Sequence, residues 1–252
     1  MNYILIPGYN RPEFFYLTME SLVKNPEIKD YHLLFTLSND VDRHYFDIIE
    51  SFSDALKLEI VKWPERNGLT KDLLEGLKLA IGKSDEYAIV LEDDVVVSRD
   101  FLRFLDYCYR HYYSEDGDIA TIGTTTNRLI GRVDHVYKEQ WYFPWGVLIP
   151  KYFFNRFLLE HCNDSYYKNT REYADRYYAF ETKGGEVEQA SLILRVMIKN
   201  NLYQILPEVP RSLEIGFYGK HRHFKSDHYN EKSLKEKIDY TREFVKSLGD
   251  KR

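Results

Sequence analysis

Tyr87-Ala88-Ile89-Val90-Leu91, followed at once by Glu92-Asp93-Asp94, is the most informative run in the chain. A continuous apolar run this short is not a typical helix; it reads as a strand buried on both faces, as in a parallel sheet covered by helices. In an open α/β sheet, ligands collect outside the carboxyl ends of the strands. Three carboxylates at that end therefore mark a candidate site.

Working upstream, residues 2–7, 31–37 and 57–62 are short apolar or β-branched runs, and the segments between them carry apolar residues at helical spacing. The pattern is β-α-β-α-β. The first helix is predicted to begin near Pro12, where a missing N–H is harmless. It runs through Phe14, Leu17, Ser21 and Leu22 until Asn25-Pro26 stops it. A later helix turns Leu69, Leu73, Leu77 and Ala80-Ile81 inward and ends at Gly82. The polar turns Gly8-Tyr9-Asn10-Arg11, Ser38-Asn39-Asp40 and Arg66-Asn67-Gly68 follow predicted strands and should converge on the rim that holds the carboxylates.

Downstream the pattern is less regular. It predicts a helix from Arg99 to about Tyr113, a strand at Ile119–Gly123, a polar loop, a strand at Trp145–Ile149 and a helix at Val187–Asn200. In the tail, Leu234, Ile238, Thr241, Val245 and Leu248 recur at helical spacing and would pack one stripe against the body. With no internal repeat, low-complexity tract or clear linker, residues 1–252 read as a single domain. Its nucleotide-binding half would span 1–100, its acceptor-side half 101–225 and a C-terminal helix 226–252.

Bulk properties narrow the function classes. The 252 residues, 44% hydrophobic and 30% charged, suffice for one sizeable core. Lys plus Arg number 35 against 40 Asp plus Glu, a formal charge of -5, so nothing favours a broad electrostatic grip on nucleic acid or anionic lipid. Cys108 and Cys162 lack a CxxC partner and read as reduced core residues. No apolar run approaches the roughly 20 residues that span a bilayer, and Met1-Asn2-Tyr3-Ile4-Leu5 lacks a basic n-region, so the expectation is a cytoplasmic protein.

Glu92, Asp93 and Asp94 would repel one another unless cations, donors or water intervene. Mg²⁺ or Mn²⁺, held by one or two carboxylates and completed by phosphate oxygens and water, suits such a cluster and could stabilise a departing diphosphate. The plainer alternative is a solvated acidic turn capping the next helix.

Residues 4–24, with Ile-Leu-Ile-Pro-Gly-Tyr-Asn-Arg-Pro before a helix, together with Val90-Leu91-Glu92-Asp93-Asp94 and Phe101, resemble a GT-A glycosyltransferase. Leu-Glu-Asp-Asp-Val, Trp-Gly-Val-Leu-Ile-Pro-Lys and Pro-Glu-Val-Pro-Arg are similar in particular to the N-acetylglucosaminyltransferase I branch, and compatible with the large family 2. The resemblance covers about residues 3–220. It implies an α/β GT-A (Rossmann-like) fold with a mostly parallel sheet, and a nucleotide-sugar donor, UDP-linked, with Mn²⁺ or Mg²⁺ on the diphosphate. It implies that Asp94 binds the metal, Asp93 the donor ribose or sugar, and Glu92 the sugar or its turn. Pro7, Tyr9, Asn10 and Arg11 would border the donor, Asn67 and Gly68 would lie near the nucleoside, and Asn39-Asp40 stand where an acidic turn reads the base.

An inverting transfer needs a carboxylate that removes the acceptor hydroxyl's proton. Glu188-Gln-Ala-Ser-Leu-Ile-Leu-Arg195 resembles the Glu-Asp-x-x-Leu-x-x-Arg segment of family 2, but Gln189 stands where the Asp would be. Glu188 or Glu186 is left as the candidate base, each with the competing role of an acidic residue at a helix N-terminus.

Gly216-Phe-Tyr-Gly219-Lys220-His221-Arg222-His223 reads as a lid, with His221 or His223 completing a metal shell and Lys220 and Arg222 on phosphate; a mobile basic loop is the alternative. Trp141 and Trp145, with Tyr142 and Phe143, could form a sugar or acceptor platform, or core. Thr124-Thr-Thr-Asn127-Arg128 offers polar side chains for hydroxyl recognition.

These readings favour an enzyme transferring a hexosyl or N-acetylhexosaminyl unit to a glycan or other hydroxyl acceptor. Sugar-phosphate nucleotidyltransfer would call for a Gly-rich first loop, where only Gly8 stands. A non-catalytic nucleotide-sugar or glycan-binding module is the third reading, and Gln189 is its best support.

Overall fold

The computed structural model describes residues 1–126, 131–177 and 188–216. The chain opens with β1 (Asn2–Gly8), α1 (Pro12–Leu22), β2 (Tyr31–Leu37), α2 (His44–Ser51), β3 (Lys57–Lys62), α3 (Leu69–Lys83) and β4 (Tyr87–Val90). β5 (Val95–Val97), α4 (Phe101–Tyr112), β6 (Ile119–Gly123), β7 (Val136–Glu139) and β8 (Val147–Pro150) follow. Next come the short helices α5 (Lys151–Phe153), α6 (Asp164–Lys168) and α7 (Thr170–Tyr177), then α8 (Gln189–Lys199), β9 (Tyr203–Pro207) and β10 (Ser212–Glu214).

An eight-stranded sheet in the order β3-β2-β1-β4-β8-β6-β9-β7 forms the centre. β1 to β4 are mutually parallel; β8 runs against β4 and β6, and β7 runs against β9. This is the mostly parallel α/β sheet the sequence implies. Because successive strand residues face opposite sides, Ile4, Ile6, Phe35 and Ile89 meet α1, α2 and α4 on one face. Leu5, Leu34, Ala88 and Val90 meet α3 and α8 on the other. The β3 edge is partly exposed along its length and carries Lys57, Glu59 and Lys62, charges that discourage pairing with another chain.

The parallel orientation brings the loops after β1, β2, β3 and β4 to one rim. β5 leaves that sheet and pairs with β10, Val95 opposite Glu214, so the chain segment at 214–216 lies alongside the acidic turn. Sequence boundaries shift by small amounts: α3 runs one residue past Gly82, α4 begins at Phe101 rather than Arg99, and the strand expected from Trp145 begins at Val147. The C-terminal helix expected at 226–252 lies outside the described residues. Among the described residues, no helix is long and apolar enough to cross a membrane.

Candidate active site

The acidic turn is held from three sides. Asp93, 5% exposed, accepts from the backbone N–H of Tyr9 at 3.3 Å, from Arg11 Nη2 at 3.4 Å and from the hydroxyl of buried Tyr45. Tyr45 in turn accepts from the backbone N–H of Arg11 at 3.0 Å, and Thr18 Oγ1 donates to the Asp93 carbonyl at 3.0 Å. Asp93 thus ties the β1–α1 loop to β4 and α2. It also borders the cleft.

Asp94, 2% exposed, receives Arg11 Nη1 at 2.5 Å on Oδ2, while its carbonyl accepts from the Ile215 N–H at 2.8 Å. From the sequence, cations, donors or water can relieve the carboxylate repulsion; in the structure Arg11 supplies a positive charge to Asp93 and Asp94 together. A Cβ at Gly216 would strike Asp94 Oδ2, so only glycine lets the chain cross this close.

Glu92 is partly exposed and lies near Asp94, Asp93 and Glu214; burial first, and then these three charges, push its carboxyl up to about 8, against the pull of Arg11. Burial also raises Asp93 to about 6 despite the opposing Arg11 charge. Tyr142, buried in the stretch expected to form an aromatic platform, is raised by burial and by the charge of Glu92, which places its ring near that carboxylate.

For a metal, the decisive atom is Asp94 Oδ1, buried and without a hydrogen-bond partner. Among the described residues no three His, Cys, Asp or Glu side chains converge as a metal site. A single carboxylate oxygen fits Mg²⁺ or Mn²⁺ only when the remaining positions come from phosphate and water. His221 and His223, expected to complete that shell, lie outside the described residues, as do Lys220, Arg222, Glu186, Asn127 and Arg128.

Beside the turn lies a cleft of about 220 Å³, bordered by Pro7, Tyr9, Asn10, Arg11, Ser38 and Asp93 on one side and by Arg66, Gly68, Leu69 and Asp72 on the other. The Arg66 guanidinium sits over the Tyr9 ring, 4.3 Å from its centroid. Gly68 has φ 73°, the left-handed region glycine favours, and turns the chain into α3 with no side-chain cap. Asn39 and Asp40 do not border this cleft: Asn39 donates to the Pro64 carbonyl at 2.7 Å and Asp40 accepts from the Tyr9 hydroxyl at 3.1 Å. Asn67 borders a neighbouring cavity instead.

Asp72 is the carboxylate that sequence reasoning missed. It is 8% exposed on the inward stripe of α3, accepts from Trp63 Nε1 at 2.5 Å, and is pushed up to about 6 by burial. Its signal was available, since it stands beside Leu73 and one turn before Gly76 on the buried face. Glu188 is exposed at the N-cap of α8 without a side-chain capping bond, on the wall of the neighbouring cavity. Gln189 is buried and accepts from Thr70 Oγ1 at 3.4 Å, joining α8 to the start of α3.

Of the expected platform, Trp141 is 52% exposed and Trp145 is half-buried against the core. Thr124 is spoken for: its hydroxyl bonds the Gly146 carbonyl and Ser212 Oγ, both at 2.7 Å. It fastens β6, β8 and β10 together.

Residues 3–114 match the family model described as Glycosyl transferase family 2, a span from β1 past the end of α4. Among solved structures, S. aureus TarS 1–349 matches with a TM-score of 0.55 at 14% identity, over 82% of this chain and 58% of that one. The same protein in complex with UDP-GlcNAc gives a TM-score of 0.55 at 14% identity, over 95% and 65%. A mannosyltransferase from Pyrobaculum calidifontis, in complex with GDP-Man and Mn²⁺, has a TM-score of 0.48 at 14% identity, over 83% and 57%. The chain spans less than two thirds of each of these proteins. No curated protein matches it. The likeness to TarS is one of fold, and the fold is GT-A.

Proposed function

We propose that this chain is a glycosyltransferase that moves a hexosyl or N-acetylhexosaminyl unit from a UDP-sugar to a hydroxyl acceptor, with inversion and with Mn²⁺ or Mg²⁺ on the diphosphate. The observation that carries this reading is Asp94 Oδ1, a buried carboxylate oxygen without a partner, in a turn that borders a nucleoside-sized cleft at the carboxyl ends of parallel strands. Asp94 would hold the ion. When bound, the ion neutralises charge gathering on the departing diphosphate.

The protein's own groups do the rest. Tyr9 and Arg66 wall the nucleoside, and Asp72 offers a carboxylate oxygen to a base N–H. Uracil presents such an N–H at N3, whereas cytosine presents a bare ring nitrogen that a carboxylate repels. Glu188 takes the proton from the acceptor hydroxyl as that oxygen attacks the anomeric carbon.

Titration calorimetry with UDP, with and without Mn²⁺, tests the reading, alongside an assay for slow UDP-sugar hydrolysis without acceptor. Manganese-assisted UDP association and weak hydrolysis are expected; well-folded protein that binds no UDP under either condition sinks the proposal. A second reading, a binding module without catalysis, draws on two observations: Arg11 already neutralises Asp93 and Asp94, and Gln189 is a buried structural residue. UDP association with neither hydrolysis nor transfer over a broad acceptor panel would favour it.

A further inference from the structure

A second cavity, of about 590 Å³, adjoins the donor cleft and shares Gly68 and Leu69 with it. Its wall carries Lys71 from α3, Lys168 from α6 and Arg171 from α7 against one carboxylate, Glu188. Among the described residues of that wall, three cations stand against one anion in a chain whose formal charge is -5.

Lys71 and Lys168 form no ion pair among the described residues; Lys71 Nζ lies only over the Tyr167 ring, 6.0 Å from its centroid. Two carboxylates on α3 and α7 already hold other donors. Glu75 accepts from the Tyr167 hydroxyl at 3.0 Å and pairs with Lys78 at 3.4 Å. Glu172 turns back to Asn169 Nδ2 at 2.9 Å, while Asn169 Oδ1 caps the Glu172 N–H at 3.0 Å. The first turn of α3, from Leu69 to Lys71, also faces the cavity without a side-chain cap, so the positive end of a 15-residue helix adds to the same field.

We infer that this cavity receives the acceptor, and that the acceptor is a hydroxyl compound bearing a phosphate group. Two lysines that form no ion pair among the described residues, beside a helix N-terminus without a side-chain cap, suit a compact, multiply charged oxyanion. Glu188 on the same wall sets a proton-accepting group beside the bound hydroxyl, and the shared Gly68-Leu69 edge is where donor and acceptor would meet. The inference rests on the transferase reading for its role in a reaction, and on the cavity's charges for its ligand.

The test uses the full chain in titration calorimetry. UDP with Mn²⁺ is measured first; glucose 6-phosphate and glucose are then compared with the donor cleft saturated by UDP. Glucose 6-phosphate is expected to bind about tenfold or more tightly than glucose. Lys71→Ala combined with Lys168→Ala should remove most of that preference while UDP association stays within about twofold, and Lys168→Glu alone should weaken the sugar phosphate further than Lys168→Ala. Equal affinity for the two sugars, or a preference indifferent to all these substitutions, overturns the inference. If UDP does not associate, the sugar comparison is made without it, so loss of the donor reading and loss of this one appear in separate measurements.

Discussion

Arg11 Nη1 lies 2.5 Å from Asp94 Oδ2, and the same guanidinium reaches Asp93 Oδ1 at 3.4 Å through Nη2. Both carboxylates are almost wholly buried, so removing the arginine leaves two anions facing each other in a poorly solvated turn. Breaking a buried pair from one side typically costs about 3–5 kcal/mol; part exposure of Arg11 places the expected loss for Arg11→Ala nearer about 2–3 kcal/mol. Mn²⁺ should then restore more stability to the variant than it adds to the parent. Thermal melts with and without Mn²⁺ read both effects. A variant that melts like the parent denies Arg11 this role.

The second prediction isolates the oxygen that has no partner. Asp94→Asn keeps an acceptor for Arg11 but withdraws the charge, so UDP affinity in Mn²⁺ should fall to the level the parent shows with a chelator. Adding chelator to the variant should then change nothing. Calorimetry of both proteins with UDP, in Mn²⁺ and in excess EDTA, decides it. If the variant keeps the full manganese effect, the ion sits elsewhere.

Asp72 links stability to pH. Its carboxyl is raised from 3.8 to about 6 chiefly by burial, against the opposing hydrogen bond from Trp63. Below 3.8 the group is protonated in folded and unfolded chains alike and its full contribution is present; as pH rises through about 6 the unfolded chain gains by ionising first, and stability is lost. Asp72→Asn keeps an acceptor for Trp63 Nε1 and abolishes that loss. The variant should be more stable than the parent by on the order of 2 kcal/mol at pH 7.5, with the difference closing below pH ~4. Denaturant midpoints across that range measure it. The same substitution should weaken UDP about tenfold and narrow the gap to CDP, whereas unchanged UDP affinity removes Asp72 from base reading.

How far the sequence reaches can be seen strand by strand. β1, β2 and β4 are largely apolar runs because helices cover both faces of the sheet there, and α1 starts at Pro12 and α3 buries Leu73, Leu77, Ala80 and Ile81 as their spacing predicts. Leu69, expected on the same inward stripe, is instead 52% exposed in the first turn beside the cleft. β7 and β9 escape the same pattern. β7 is the edge sequence Val136-Tyr-Lys-Glu139, and β9 contains Gln204, fully buried because its amide bonds both the N–H and the carbonyl of Phe143, at 2.8 and 3.2 Å. A satisfied polar residue inside a strand looks, in one dimension, like a surface residue. Within the site, the rim loops and the acidic turn were legible because they follow strands. The partnerships were not: Arg11 with Asp94, Tyr45 with Asp93 and Trp63 with Asp72 are set by packing across elements.

Glu188 and Gln189 separate chemistry from architecture at adjacent positions. Gln189 is 3% exposed and accepts from Thr70 Oγ1 at 3.4 Å; Glu188, one residue earlier, is exposed, makes no side-chain cap and borders the cavity shared with the start of α3. Gln189→Ala should therefore lower the melting temperature, through about 1–2 kcal/mol of lost packing and a stranded Thr70 hydroxyl, while the surviving folded protein keeps its turnover. Glu188→Gln should do the reverse. It removes the proton acceptor with little change in shape, so kcat should fall by about 10²–10⁴ while the donor KM and the melting temperature hold. Steady-state kinetics on both variants, at a temperature where each is folded, give the answer. Should Gln189→Ala lose turnover while Glu188→Gln keeps it, the base is not Glu188, and the cavity it borders loses its claim to the acceptor.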